Sequence, residues 1–481
     1  MPIHRSAGVA LLLLVQAPAA AQDGPTTEAL RATVRGAVAW LQQQAEPVAG
    51  VEGAALLRSS DGPKARTQPT VYGGSAGVLL FLENVAAVLD CADSRALADR
   101  IAKGLQAGRR QEGSSPARWN EADGNAGAGL YTGDAGIGHA FLVRHQLRGD
   151  AAALATAVEV GDALLARATR SERGLGWGNQ PDLIIGNAGT ALFLLELGQT
   201  SGQTRFVDGA RQAARELVAM AVPTPSKADP QRQLPTWKYM SGRRATYMPN
   251  FSHGTAGVAY ALLRIGAATD DADLIASGTA GAEAMLDLAV VEGESCKWPV
   301  APGRPIYLGG WCHGPAGTAR LFLLLHSMTK EARYLTVAKQ GANFLVGYAK
   351  AAEQVGADGQ RPYVPPSYCC GVAGVVEFFC DLHRVTGDPG HAAFARKAGQ
   401  YLLDVAIADG NGRKWKNGAS APGPGQADSK GHDTDLMIGA AGEALALLQL
   451  SLLDQKEMPL RRLPDRAVTA GAAMAESKSA K

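Results

Sequence analysis

Cysteine, excess charge and long apolar runs are all scarce in this sequence. Six cysteines in 481 residues are too few for a disulfide-stabilised scaffold. The net charge of +2 puts neither sign in large excess, so the composition gives no reason to expect binding to nucleic acid or to an anionic membrane. Beyond the first 22 residues, no segment offers about 18 consecutive apolar residues, so stable membrane insertion is not expected either.

The first stretch of the chain has the layout of a secretory signal. Arg5 is followed by an apolar run from Ala7 to Val15, and the small residues Ala17, Ala19 and Ala21 come next. The apolar run is too short to span a bilayer. We therefore predict a signal peptide over residues 1–21 and a mature protein that is exported to the periplasm or the extracellular space.

Glycine is abundant, and much of it recurs in one pattern. The tetrad Gly-x-Ala-Gly occurs seven times, at residues 74–77, 133–136, 186–189, 254–257, 314–317, 371–374 and 439–442. Each tetrad opens a strongly apolar segment, and amphipathic segments such as Arg205–Ala219 separate the copies. Glycine permits the close backbone approach that a tight helix start requires.

Two helices in each of seven repeats predict an all-α fold, an α/α toroid with seven inner and seven outer helices. We assign residues 22–456 to this single domain and expect a monomer. Residues 457–481 are basic and alanine-rich, and we predict a disordered tail there. The longer connections, such as Val222–Asn250, have the proline-rich composition of loops.

Reactive side chains occur just before the tetrads of three consecutive repeats. His253, His313 and Cys370 directly precede the first glycine, while Cys312 and Cys369 stand one place further back. In a closed ring these positions face one end of the barrel. Helix N-termini favour thiolates. A catalytic zinc site has three protein ligands and keeps the fourth position open. Cys312, Cys369 and Cys370 can supply those ligands, or His313 replaces one of the paired cysteines.

Disulfides are the usual fate of cysteine in an exported protein, and buried free cysteine usually only packs. Adjacent Cα atoms lie about 3.8 Å apart, below the usual disulfide span of roughly 4.4–6.8 Å, so a bridge between Cys369 and Cys370 would be strained. Cys91, Cys296 and Cys380 fall outside the register of the repeats and are candidates for packing or disulfides.

Two short strings resemble the lanthionine synthetase C-like family. The string 310–317, Gly-Trp-Cys-His-Gly-Pro-Ala-Gly, is similar to the family's Trp-Cys-x-Gly element, in which the cysteine binds zinc. The string 368–374, Tyr-Cys-Cys-Gly-Val-Ala-Gly, stands where most members carry Cys-His-Gly. The resemblance implies one zinc ion at the mouth of a toroid, here with Cys370 in place of the usual histidine and with Trp311 and His313 as accessory residues.

The resemblance also implies an acid/base pair, His253 and Asp182. Asp435 is a competitor for the second role, because it occupies the same place in the seventh repeat. The implied activity is the addition of a thiol, activated as a zinc thiolate, to a dehydroamino acid. The thiol belongs either to the same peptide, which gives a thioether ring, or to a small molecule of the glutathione type.

Two other functions are compatible with the sequence. Toroids of this kind also host carbohydrate-active enzymes, which need paired carboxylates at the mouth. The acids near the tetrads are Asp134, Asp182, Glu377 and Asp435. The third possibility is a non-catalytic, zinc-stabilised module that binds a peptide, with His313 closing the metal site as a fourth ligand.

Overall fold

The structure is a computed structural model that describes residues 24–122, 124–241, 244–352, 364–416 and 431–466. The predicted signal peptide lies outside the described residues. So do residues 467–481 of the predicted tail.

In the described part of the chain, seven inner helices begin at the seven tetrads. In every case the first glycine of the tetrad is the N-cap in extended backbone, and the next residue begins the helix. These helices are buried almost all round over their first three turns, as their apolar sequences predict. They are α2 (Ser75–Leu89), α5 (Asp134–Arg148), α7 (Asn187–Ser201), α9 (Thr255–Thr269), α11 (Pro315–Thr329), α13 (Val372–Thr386) and α15 (Ala440–Leu450).

Seven outer helices among the described residues cover the inner ones with their apolar stripes. They are α1 (Thr27–Gln43), α3 (Ala92–Ala107), α6 (Ala151–Arg167), α8 (Thr204–Ala219), α10 (Ala272–Leu288), α12 (Ala332–Ala352) and α14 (Pro389–Asp404). Each of the last six packs on the inner helix that precedes it, while α1 packs on α15 and so supplies the outer layer of the last repeat. A short helix, α4 (Gly124–Ala128), precedes α5.

The inner helices form a closed ring. Each contacts the next in chain order, and α15 contacts α2, so the described residues form the predicted α/α toroid. Among the described helices, none combines the length and the apolar character that a membrane span requires.

Within the ranges that the structure describes, six short antiparallel hairpins follow outer helices, and they were not predicted from the sequence. The strands are β1 (Ala45–Pro47) with β2 (Ala55–Leu57), β3 (Thr169–Arg170) with β4 (Leu175–Gly176), β5 (Val222–Pro225) with β6 (Gln233–Thr236), β7 (Lys238–Ser241) with β8 (Arg244–Tyr247), β9 (Val290–Glu292) with β10 (Ser295–Lys297), and β11 (Ile407–Asp409) with β12 (Gly412–Lys414). The connection at residues 222–250, predicted as a loop, therefore contains two hairpins.

Tryptophan side chains join four of these hairpins to the outer helices. Each indole N–H donates to a carbonyl near the C-terminal end of the preceding outer helix, where carbonyls lack partners within the helix. The pairs are Trp177 with Leu164, Trp237 with Leu217, Trp298 with Met285 and Trp415 with Leu402, at 2.7–2.9 Å. The hairpins are thereby fixed at the same end of the ring as the starts of the inner helices.

Part of the predicted tail is buried. Residues 460–466, which we call the plug, enter the barrel from the end opposite the tetrads, and Leu460, Arg462, Leu463 and Asp465 are buried. Arg462 donates to Glu377 and Asp381 at 2.6 and 2.8 Å. The charges of these residues find partners inside the barrel that the local sequence does not reveal.

Candidate functional site

Four residues precede each tetrad and form the rim of the barrel. We call these four residues the rim segment and count them from first to fourth, the fourth being adjacent to the tetrad. Because the seven segments repeat the same backbone path, each of the four places has one structural role around the ring. The candidate site follows from those four roles.

The second residue of each rim segment forms the floor of the site. Its carbonyl oxygen lies against the last glycine of the tetrad so closely that a Cβ on that glycine would collide with it in all seven repeats. Trp311 occupies this place in the fifth repeat and is fully buried. Its ring lies 5.3 Å from that of Tyr131, 6.0 Å from Phe251 and 6.1 Å from Tyr368, measured between centroids. Trp311 therefore supports the site from below.

The third residues are linked by a belt of backbone hydrogen bonds between neighbouring repeats. The amide N–H groups of Tyr72, Tyr131, Ser252, Cys312 and Cys369 donate to carbonyls of the next segment at 2.7–3.2 Å, and Leu183 donates to Ser252 at 3.2 Å. In this belt the Cys312 N–H donates to the Cys369 carbonyl at 3.0 Å. Two cysteines that are 57 residues apart in the chain are thereby held side by side.

Three sulfur atoms converge at this point. The Sγ atoms of Cys312, Cys369 and Cys370 all lie within 4.8 Å of one another, and those of Cys312 and Cys370 are 3.5 Å apart. Tetrahedral zinc with Zn–S bonds of about 2.3 Å needs sulfurs roughly 3.8 Å apart. The spacing and the thiol donors therefore fit zinc, and no other group of metal-binding side chains is found in the described part of the chain.

The protonation of the cluster favours one thiolate. Hydrogen bonds from the thiols of Cys312 and Cys369 lower the pKa of Cys370 to about 3, with a smaller contribution from the charge of His313 and against the effect of burial. Cys370 is also the exposed member, whereas Cys312 and Cys369 are buried. All six cysteines lie within the described residues and are free thiols, and Cys296 and Cys380 are buried in apolar surroundings.

His253 and Asp182 are in contact. The Nδ1–H of His253 donates to Oδ2 of Asp182 at 3.1 Å, and Oδ1 of the same carboxylate accepts from the amides of Ile185 and Gly186 at 2.8 and 3.0 Å. Asp182 is fully buried, so the backbone of its own turn and the histidine of the next repeat hold it in place.

Asp435 has the same local turn, but none of the described histidines bonds to it. Its Oδ1 accepts from the amides of Met437 and Ile438 at 2.9 and 2.8 Å. The first residue of one rim segment lies beside the fourth residue of the next, and the fourth residue that follows Asp435 around the ring is Gly73. The geometry therefore pairs Asp182, and not Asp435, with the histidine.

His313 is held in the same way, as the fourth residue of its rim segment beside Asn250, the first residue of the preceding one. Asn250 accepts the backbone N–H of His253 at 2.8 Å, and its Nδ2 donates to Nδ1 of His313 at 2.7 Å. The His313 side chain is thus turned towards Asn250 and lies outside the group of three sulfurs. The rings of His253 and His313 are 6.5 Å apart, so both line the same side of the mouth.

Four further residues complete the site and were not predicted from the sequence. Besides Asn250, they are Tyr72, whose hydroxyl donates to Sγ of Cys369 at 3.3 Å, and Tyr239 on β7, whose ring is 4.6 Å from that of His253. Gln180 holds β7 in place, because its side-chain amide bonds to both backbone groups of Met240. Aligning the rim segments would have pointed to Asn250 and Tyr72, but no local signal marks Tyr239 or Gln180.

The acids named for carbohydrate chemistry do not form a pair at the mouth. Asp134 bonds to Arg167 and Asn120 at 2.6 and 2.7 Å, and Glu377 bonds to Arg462 of the plug, below the floor. Asp182 and Asp435 belong to separate turns, as described above.

An α/α toroid with three cysteines and a histidine–aspartate pair on its rim is the class of protein that this structure defines. The family model for lanthionine synthetase C-like proteins matches residues 66–460. The chain belongs to the lanthionine synthetase C-like family.

Several solved structures are similar to this chain. A structure described as nisin cyclase is 13% identical, with a TM-score of 0.52 and coverage of 85% of this chain and 92% of its own. A family 76 α-mannanase from Bacteroides thetaiotaomicron is 10% identical, with a TM-score of 0.48 and coverage of 88% and 95%. Cellobiose 2-epimerase from Spirochaeta thermophila is 12% identical, with a TM-score of 0.48 and coverage of 89% and 96%. At 13% identity, the likeness to the nisin cyclase structure concerns the fold alone.

Proposed function

We propose that the protein is a zinc enzyme that adds a thiol to a dehydroalanine or dehydrobutyrine side chain. The observation that carries the proposal is the convergence of Cys312, Cys369 and Cys370 on the rim that also presents the His253–Asp182 pair. Family membership supports cyclase-like chemistry, and the spacing of the three sulfurs supports zinc as the metal.

Residues of the chain would deliver the proton that the addition requires at Cα of the substrate. Zinc held by the three cysteines would supply a Lewis acid that favours the thiolate form of a substrate thiol near neutral pH. In the addition, a C–S bond forms at Cβ of the dehydroamino acid while the electron pair of the C=C bond moves to Cα. His253 is the group that would deliver a proton to Cα, because imidazole transfers protons near neutral pH. Asp182 would orient the imidazole and offset its charge.

The substrate is proposed to be a peptide that already contains the dehydroamino acid. The thiol is a cysteine of the same peptide or a small thiol of the glutathione type. We further propose that the protein acts as a monomer after export through the signal at residues 1–21, in the periplasm or outside the cell.

Elemental analysis tests the metal site directly. Mature protein purified without added metal is expected to contain about one zinc per chain, and a variant with Cys312, Cys369 and Cys370 all changed to Ala is expected to contain none. Cys91→Ala is the matched control, because Cys91 is a free thiol at the start of α3, outside the cluster. The absence of zinc from well-folded wild-type protein would contradict the proposal.

A thiol-addition assay tests the reaction. The zinc protein is mixed either with a dehydroalanine peptide that also contains a cysteine or with a dehydroalanine peptide and glutathione. In both cases we expect a thioether product that mass spectrometry detects. The triple cysteine variant is expected to give none above the uncatalysed rate. Turnover of a glycan that survives removal of the metal would instead favour a carbohydrate-active enzyme.

A further inference from the structure

One polar contact to the sulfur cluster comes from a repeat that carries none of the three cysteines. Tyr72 belongs to the rim segment of the first repeat, while the cysteines belong to the fifth and sixth. Its hydroxyl donates to Sγ of Cys369 at 3.3 Å. The side chain therefore reaches past the seventh rim segment to Cys369, the buried member of the paired cysteines.

The backbone holds Tyr72 in the position that this contact requires. Its N–H donates to the Tyr131 carbonyl at 2.8 Å, as part of the belt. Three residues later, the N–H of Ser75 donates to the Gln68 carbonyl at 2.8 Å, which closes the turn that carries the tyrosine. A phenol ring on a fixed backbone has only two rotatable side-chain bonds, so little freedom is lost when its hydroxyl donates.

We propose that Tyr72 is a positioning residue for the metal centre, whose hydroxyl donates a hydrogen bond to the Cys369 thiolate when zinc is bound. Because the three cysteines are proposed zinc ligands, this role rests on the proposed function. A hydrogen bond from the surroundings orients a metal ligand and tunes its electronic character. Such a bond draws electron density from the sulfur, which reduces its nucleophilicity, and it stabilises the deprotonated form that can bind the metal.

The need for this bond follows from the ligand set. Three thiolate ligands give zinc a net negative centre, and a substrate thiolate adds a further negative charge. A hydroxyl donor stabilises that charge without competing for the metal, since a charge-assisted hydrogen bond is stronger than a neutral one. It also distinguishes Cys369, which must remain a ligand, from the substrate sulfur, which must attack the dehydroamino acid.

Tyr72→Phe removes the hydroxyl and leaves the ring. We expect its zinc affinity, measured by competition with a chromophoric chelator, to fall about 10- to 100-fold. With Co²⁺ in the site, the sulfur-to-cobalt charge-transfer band is expected to shift to lower energy, because the sulfur lone pair loses its donor. Iodoacetamide, followed by peptide mapping, is expected to alkylate Cys369 faster in this variant.

Tyr131→Phe is the matched control. Tyr131 occupies the same third place in the second rim segment, but its hydroxyl donates to Asp465 at 2.8 Å and does not contact the cluster. This variant is expected to keep the zinc affinity and the cobalt band of the wild type. A role of Tyr72 in packing alone would leave both properties of Tyr72→Phe unchanged as well.

The outcomes separate the two proposals. If the wild type binds one zinc and Tyr72→Phe matches it in affinity, cobalt spectrum and alkylation rate, the role of Tyr72 is overturned while the metal site stands. If the wild type itself binds no zinc, the proposed function falls, and the role of Tyr72 falls with it.

Discussion

At the scale of single residues, the site depends on which side chain of the next rim segment each rim residue contacts. Asp182 and Asp435 occupy the same first place of their rim segments and accept the same kind of backbone hydrogen bonds. They differ only in the next segment, where Asp182 meets His253 and Asp435 meets Gly73. The pair of variants Asp182→Asn and Asp435→Asn therefore separates the role of the turn from a role in proton transfer.

Asp182→Asn is expected to slow thiol addition at least about 10-fold, and His253→Ala about 100-fold or more, as is typical for the loss of acid–base catalysis. The asparagine can still accept the backbone hydrogen bonds of the turn, so the fold should persist. Asp435→Asn is expected to leave the rate unchanged. The measurement is the initial rate of thioether formation, and equal losses in both aspartate variants would contradict the assignment of Asp182.

Asp435 makes the stability of the fold depend on pH. Burial raises its pKa to about 8, although the hydrogen bond from Ile438 opposes this and the charge of Asp433 adds to it. A folded-state pKa above the usual 3.8 means that the stabilisation from the protonated form is complete below about pH 4 and is lost as the pH rises through about 8.

Asp435→Asn is therefore expected to match the wild type near pH 4 and to be more stable than the wild type at pH 8, by on the order of a few kcal/mol. Asparagine keeps the acceptor for the Ile438 amide but cannot ionise. Urea denaturation at several pH values measures the difference between the two proteins. A difference that is constant between pH 4 and pH 8 would contradict the raised pKa.

At the scale of elements, each tetrad begins an inner helix and packs its first turn against the rim segment that precedes it. The last glycine of each tetrad lies against the carbonyl of the second rim residue, so this glycine is a packing requirement in all seven repeats. The variable residue of the tetrad has its own task in four repeats, where Ser75, Asp134, Asn187 and Thr255 accept a backbone N–H from the end of the preceding hairpin or loop.

Gly317→Ala is expected to destabilise the protein by about 1–3 kcal/mol, the range typical of overpacking, because its Cβ would collide with the Trp311 carbonyl. Trp311 precedes Cys312, so zinc affinity should fall as well. Gly347→Ala in α12 is the control, since nothing lies within 4 Å of its added Cβ. That change should stabilise the helix by roughly 0.5–1 kcal/mol. Thermal denaturation measures both variants. Melting temperatures that shift in the same direction in both variants would contradict this account.

At the scale of the whole molecule, the plug ties the inner helices together. All seven inner helices contribute a side chain that hydrogen-bonds to it. These side chains are Asn84, His139, Glu196, Arg264, Arg320, Glu377 with Asp381, and Gln449. They recur six or ten residues after the first glycine of the tetrad, on the face that points to the barrel axis.

Arg462→Met is expected to destabilise the protein by about 3–5 kcal/mol, because it removes the cation that bonds to the buried carboxylates of both Glu377 and Asp381. Glu377 keeps Arg320 at 3.5 Å, whereas Asp381 loses the cation to which it hydrogen-bonds. Arg461→Met is the matched control, since the neighbouring Arg461 is exposed and bonds to Asn84 through its backbone alone. Urea denaturation compares the two. Similar small losses in both would show that the plug carries little of the stability.

Much of the architecture could be predicted because it repeats. Seven tetrads, each followed by an apolar segment and then by an amphipathic one, indicate paired helices in a ring, and the structure confirms it. The hairpins were missed because their strands are only two to four residues long, too short for a period-two pattern to show. The plug was missed because a segment with Arg462 and Asp465 reads as exposed until the acids inside the barrel are known.

The sequence by itself determined the repeat, the start of each inner helix and the register that places Cys312, Cys369, Cys370 and His253 on one rim. Those features depend on local spacing and on side-chain type. Only the tertiary structure decided that Asp182 and not Asp435 meets a histidine, that Asn250 holds His313, and that Tyr72 reaches Cys369. These contacts join different repeats, and their partners depend on how the closed ring orders its segments in space.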